Sequence, residues 1–190
     1  MKSLFVALAG PSGVGKSYVI DGILKFFPGK YTYVKPFTTR ALREGETNKI
    51  HIVENEFQKL IDEGDILLPN NLYGFWYGPS RSQINSIIES GSSPIIDWPI
   101  QRIPDLRREI HPIDTICLYI TPPDLRTLKQ RLSNDDRDKT GERYKSAKDE
   151  IDTLWNRGYD GIDSIIVNEG ENIAKQADLI ISSYMENILK

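Results

Sequence analysis

The stretch "SLFVALAGPSGVGKSYVIDGIL" (residues 3–24) decides how this chain folds. Residues 4–9 are uninterrupted apolar sequence, the pattern of a strand covered on both faces. The octet "GPSGVGKS" (10–17) follows, and "KSYVIDGILKFF" (16–27) reads as a helix ended by Pro28-Gly29. The octet satisfies G-x-x-x-x-G-K-[ST] in full and stands between a strand and a helix, the context that gives the pattern its meaning. Glycines let a backbone fold around an anion with several N–H groups pointing inward, where side chains would block the approach. The positive end of the following helix adds to the same field. Ser12, Gly13, Val14 and Gly15 then form the cradle, Lys16 is a point charge for β- and γ-phosphates, and Ser17 offers its hydroxyl to Mg²⁺. A plain turn with a solvated lysine is the alternative, but a turn does not require this spacing after a buried strand. Phosphate binding is the reading.

Beyond residue 24, short β-rich runs alternate with longer helical patterns. "KYTYVKPF" (30–37), "SPIIDW" (93–98), "IDTICLYI" (113–120) and "DSIIVN" (163–168) read as strands. Helices are expected at 54–64, at 80–91 from Ser80 to Gly91, in an Arg-rich stretch before 113, after Pro122-Pro123, and at 171–189. Strand, helix, strand in repetition predicts an α/β fold with a parallel sheet covered on both faces. Residues 36–79 break the rhythm with short aromatic-rich strands and are expected to form an inserted lobe, leaving 1–35 and 80–190 as the core of a single domain.

Composition narrows the class. At 190 residues, 39% hydrophobic and 27% charged, the chain is an ordinary globular domain with one sizeable core. A net charge of −3 argues against a general nucleic-acid or anionic-membrane binder. The single cysteine, Cys117, lies in the apolar run "TICLYI" and reads as a buried thiol, so nothing implies an oxidising compartment. His51 and His111 have no Cys or His at ligand spacing, so no zinc site is read. No secretory leader pattern or membrane-length apolar run is visible, and a cytoplasmic chain, monomer or homodimer, is the expectation.

A second anion grip is suggested by "TTRALREGE" (38–46), where Arg40 and Arg43 stand three apart beside two threonines. Two guanidiniums and hydroxyls suit a second phosphate. The same arginines could equally pair with Glu44 and Glu46 in a solvated loop. Taken with the octet, "GFWYG" (74–78), "IIDW" (95–98), "LYITPPDLRTLKQRL" (118–132) and "IIVNEG" (165–170), this segment resembles the guanylate kinase family over nearly the whole chain.

That resemblance implies a P-loop NTPase core of three α/β/α layers with a parallel five-stranded sheet, a nucleoside-monophosphate lobe and a mobile lid. It implies transfer of the γ-phosphoryl of ATP, with Mg²⁺, to the phosphate of GMP or dGMP, a small-molecule nucleotide partner. Thr39, Arg40, Arg43 and Tyr77 would hold the acceptor phosphate. Asp97 would sit at a strand end facing the acceptor and Mg²⁺, and Asn168 would line the adenine pocket. The lid candidate is 129–148, with seven Lys/Arg against four Asp/Glu; Arg131, Arg137 and Arg143 are its candidates for closing over the transferring phosphoryl group. Scattered surface charge is the plainer reading of any one of them.

The departures from the family fall together. A family serine before the Thr-Thr-Arg segment is Pro36 here, the guanine-reading glutamate aligns with Leu68 or its neighbours, and the hydroxyl after Tyr-Gly is Pro79. The phosphate-handling residues are kept and the guanine readers are not. Asn70 or Asn71 could read guanine differently. A shortened lobe without the glutamate also resembles ribose 1,5-bisphosphate phosphokinase, and a guanylate-kinase-like interaction module without chemistry is a third possibility. Intact Gly15, Lys16 and Ser17 favour an enzyme over that module. Phe75, Trp76 and Tyr77 could stack on a base or form the small lobe's own core.

Overall fold

A computed structural model describes residues 4–72, 74–134 and 140–188. Its spine is β1 (Leu4–Ala9), buried at every position and paired in parallel with β7 (Ser93–Asp97) on one side and β8 (Asp114–Thr121) on the other. β2 (Tyr31–Tyr33) and β9 (Ser164–Val167) complete a five-stranded parallel sheet in the order β2-β7-β1-β8-β9.

Period-two alternation divides β1 between two cores. Leu4, Val6 and Leu8 pack with Val19, Ile20 and Ile23 of α1 (Lys16–Phe26), Leu128 of α5 (Leu125–Ser133) and Ala177 of α7 (Ile173–Ile188). Phe5, Ala7 and Ala9 pack with Ile84 and Ile87 of α3 (Arg81–Glu89) and with Ile103 and Leu106 of α4 (Ile103–Ile110). The three-layer α/β/α arrangement expected from the sequence is the one found, because a strand this apolar must be covered on both faces.

The segment expected as one strand over 30–37 is split between two sheets. Pro36 has no N–H to donate, and past it the chain turns into a second, four-stranded sheet. That sheet contains β3 (Phe37–Thr38), β4 (Ile50–His51), β5 (Asn70–Leu72) and β6 (Phe75–Gly78), in the order β4-β3-β6-β5. Above it lies α2 (Glu54–Asp62), whose buried Phe57 stacks on Trp76 at 6.2 Å between ring centroids. Trp76 thus serves this small core. The helix after Pro122-Pro123 is found where expected: Asp124 is its N-cap, accepting from the Thr127 N–H at 2.6 Å, and both prolines precede it. α6 (Glu142–Arg157) runs back along the main sheet. Cys117 is buried, and burial pushes its thiol up to about 12, the inert state the sequence suggests. Among the described residues no helix is long and apolar enough to cross a membrane.

Candidate active site

Because β1, β7, β8 and β9 are parallel, their carboxyl ends converge on one edge of the sheet. The loop after β1 holds Gly10, Gly13 and Gly15 at φ of +136°, +84° and +90°, conformations in which an L side chain is strained. Space excludes side chains too. A Cβ at Gly10 would lie 2.3 Å from the Ile120 carbonyl oxygen, and one at Gly15 would lie 2.6 Å from Nδ2 of Asn168.

The underside of this loop is braced. Asn168, buried just past β9, donates Nδ2 to the Val14 carbonyl at 2.7 Å, while its Oδ1 accepts from the Gly170 N–H at 3.1 Å. Arg131, in the last turn of α5, donates to the carbonyls of Val14 at 3.4 Å and Asn168 at 3.3 Å. Arg143, in the first turn of α6, donates to Ser12 Oγ. Expected beside an adenine, Asn168 is found under the loop, with both ends of its carboxamide bonded to backbone. Arg131 and Arg143 both reach the loop; Arg137 lies outside the described residues.

Lys16 Nζ donates to the carbonyls of Gly10 at 2.5 Å and Pro11 at 3.1 Å, which holds its charge inside the cradle. Burial lowers its pKa, and the carboxylates of Asp97 and Glu150 oppose that shift. Ser17, the next residue, is exposed, and its hydroxyl has no hydrogen-bond partner among the described residues.

On the acceptor side, Thr39 is stitched to β6: its N–H donates to the Trp76 carbonyl at 3.1 Å, and its Oγ1 accepts from the Trp76 N–H at 2.9 Å. This places Arg40 over Tyr77, whose hydroxyl accepts from Nε at 3.2 Å. The Arg40 NH2 group meets both oxygens of Glu46, at 2.8 and 2.6 Å. Burial alone would raise the Glu46 carboxyl; hydrogen bonds from Arg40, the Arg43 N–H and Lys49 outweigh it and hold the group at about 2. The guanidinium of Arg43 makes no hydrogen bond or ion pair with any described residue and faces the acceptor cleft. Of the two readings of this segment, the ion pair belongs to Arg40 and the open grip to Arg43.

Two cavities meet here. One, of ≈ 170 Å³, is lined by Ser17, Asp21, Tyr33, Asn48 and Asp97 among others; the second, of ≈ 370 Å³, is lined by Arg40, Arg43, Tyr77 and Asp97 among others. Tyr33, Asn48 and Asp97 border both. Asp97 ends β7, is exposed, and accepts from the Tyr33 hydroxyl at 2.7 Å. Pro36, Leu68 and Pro79, the three departures read from sequence, all line the larger cleft.

Sequence reasoning missed Tyr33 and Glu150. Glu150 accepts from the Tyr119 hydroxyl at 3.0 Å, and burial raises its carboxyl pKa. It stood in plain view at helical spacing from Ala147 and Leu154, a charged residue on the apolar face of α6. Tyr33 had no such signal, since a tyrosine near a strand end serves packing as readily as a site.

A family model described as guanylate kinase matches residues 2–184. The chain is 30% identical over 185 residues to the guanylate kinase of Lactobacillus acidophilus, covering 93% of this chain and 89% of that one. To the guanylate kinase of Streptococcus pneumoniae it is 28% identical over 207 residues, covering 100% and 96%. The crystal structure of guanylate kinase from Anaplasma phagocytophilum superposes with a TM-score of 0.67 at 22% identity, covering 96% of this chain and 86% of that one. The chain belongs to the guanylate kinase family.

Proposed function

We propose that this chain is a nucleoside monophosphate kinase that transfers the γ-phosphoryl group of ATP to the phosphate of GMP or dGMP. One observation carries the reading: Asp97, Tyr33 and Asn48 border both the cavity at Ser17 and the cleft at Arg43, so a donor tail and an acceptor phosphate would occupy adjoining sites. Family membership supports the same reaction.

The loop fits a nucleotide triphosphate tail, since strained glycines, a helix N-terminus and the Lys16 ammonium converge there. No group of three or more His, Cys, Asp or Glu side chains suited to a metal occurs among the described residues. Mg²⁺ would be held by phosphate oxygens together with Ser17, whose exposed hydroxyl has no partner among the described residues. When bound, it neutralises developing charge on the phosphates. Transfer needs no covalent intermediate on the protein. Lys16 neutralises phosphate oxygens, Arg43 positions the acceptor phosphate, and Arg40 holds the loop that carries Arg43. Arg131, Arg137 and Arg143, all in the 129–148 lid, add positive charge as the site closes. We assign residues 36–79 as the acceptor-binding lobe and a cytoplasmic setting with no nucleic-acid or membrane partner.

The experiment is an ADP-release assay with Mg-ATP and GMP or dGMP. Turnover with either supports the proposal. Mg-ATP binding without turnover of any monophosphate overturns it and leaves a phosphate-binding module.

A further inference from the structure

The larger cleft has a wall that the proposed reaction does not use. Pro36, Leu68 and Pro79 give it apolar, donor-poor surface, and Trp98 lies beside them. Two carboxylates line the cleft, Glu46 bonded through both oxygens and Asp97 through Oδ1. Glu46 accepts from Arg40, Lys49 and the Arg43 N–H, and Asp97 accepts from Tyr33. A guanine edge that presents N1–H and the 2-amino group side by side needs two adjacent acceptors, the arrangement a free carboxylate supplies. Glu46 has both oxygens engaged and Asp97 has one, so neither supplies that arrangement intact. Asn70, also on the wall, has one amide carbonyl, enough for a single donor.

The same wall carries an unused fork of donors. Arg102, half-buried just before α4, lies over the Trp98 ring at 5.8 Å, while Nε1 of that ring donates to the Arg102 carbonyl at 3.2 Å. Its guanidinium makes no hydrogen bond or ion pair with any described residue, and it lines the cleft. A guanidinium drawn to an aromatic ring by cation–π attraction has its range of orientations narrowed. Its two donors match a pair of adjacent acceptors, as O6 and N7 of a 6-oxopurine present.

We propose that Arg102 is the base-reading residue, and that the acceptor is a 6-oxopurine nucleotide recognised at O6 and N7, its 2-amino group unread. This rests on the phosphoryl-transfer reading of the same site. Hypoxanthine and guanine share O6, N7 and N1–H, so IMP and GMP are equivalent to this wall. Adenine places an amino donor where the fork needs an acceptor and is rejected.

The test is a kcat/KM panel on the intact chain with GMP, IMP, AMP, 7-deaza-GMP and ribose 1,5-bisphosphate, for wild type and Arg102→Met. In wild type, IMP is used within about threefold of GMP, while AMP and 7-deaza-GMP fall by about 10- to 100-fold, the range of one bidentate contact. In Arg102→Met, GMP and IMP fall to or below the wild-type level of 7-deaza-GMP, and 7-deaza-GMP, which keeps O6, falls by less than GMP does. A preference for GMP over IMP clearly beyond about threefold overturns the proposal, as does 7-deaza-GMP matching GMP in wild type. Those two outcomes need no variant to fold. Ribose 1,5-bisphosphate as the preferred acceptor also overturns it, with Arg102 gripping a second phosphate instead. Absence of turnover with every acceptor is separate, since it removes the kinase reading itself.

Discussion

Arg40 and Glu46 are locked together: one guanidinium nitrogen lies 2.8 and 2.6 Å from the two carboxylate oxygens, and both side chains are largely buried. The neighbouring Arg43 is tied only through its backbone N–H, which donates to the same carboxylate at 3.0 Å. Two arginines that look equivalent in "TTRALREGE" therefore have different duties, one holding the loop in shape and one left open to a ligand.

The division predicts different phenotypes. Arg43→Ala raises the acceptor KM by about 10- to 100-fold, the weight of a charge-assisted contact, with thermal stability unchanged. Arg40→Ala leaves the largely buried Glu46 carboxylate to Lys49 and the Arg43 N–H and removes the donor to the Tyr77 hydroxyl, so it lowers Tm by about 2–8 °C in addition to weakening acceptor use. Melting curves beside acceptor titrations separate them. A destabilised Arg43→Ala with a normal KM reverses the assignment.

Glu46 gives the pair a pH signature. Its carboxyl is held at about 2, against an ordinary value of 4.5. A depressed carboxyl binds its proton more weakly in the folded state, so its contribution is present above the ordinary value and lost as pH falls toward 2. The Arg40–Glu46 pair therefore weakens between about pH 4.5 and 2. Glu46→Gln is less stable than wild type at pH 7, and the gap narrows across that window in denaturant melts. A gap that stays constant from pH 7 to pH 2.5 rules the ion pair out as the source.

Lys16 occupies the centre of the phosphate loop, its ammonium on the carbonyls of Gly10 and Pro11. Lys16→Met removes a charge that burial disfavours, so the fold tolerates the change, while transition-state charge loses its nearest cation. The expected result is a fall in kcat of about 10²- to 10³-fold with little change in Tm. Near-normal turnover removes Lys16 from the reaction.

The main sheet was legible because β1, β7 and β8 are apolar on both faces, and Ser80, Gly64 and Gly91 mark helix ends by their own chemistry. The phosphate loop was legible for a related reason, since its glycines answer a local backbone demand. Strand 30–37 was misread because Tyr31, Tyr33, Val34 and Phe37 read as one β-rich run, although the chain changes sheets at Pro36. The pairing of Arg40 with Glu46 rather than Glu44 depends on the loop's path. The role of Arg102 depends on Trp98 lying beneath it, four residues earlier across a short 3-10 turn. Contacts set by tertiary placement leave no periodic trace in a sequence.

Asn168 supplies a further test of the loop. Its Nδ2 bonds to Val14 and blocks any side chain at Gly15, so the carboxamide sets the height of the cradle from below. Asn168→Ala leaves the Val14 carbonyl to Arg131 alone and opens space under Gly15, and the cradle loses its fixed shape. The expected outcome is an ATP KM raised by about tenfold, one lost hydrogen bond in a buried position, with the acceptor KM unchanged because the β3–β4 loop that carries Arg40 and Arg43 is untouched. Asn168→Asp is worse than alanine, since a buried carboxylate would face the Val14 carbonyl and repel the triphosphate above it. Steady-state kinetics with each substrate varied in turn measure both effects. Equal increases in the two KM values would show that Asn168 acts on the fold at large and not on the cradle.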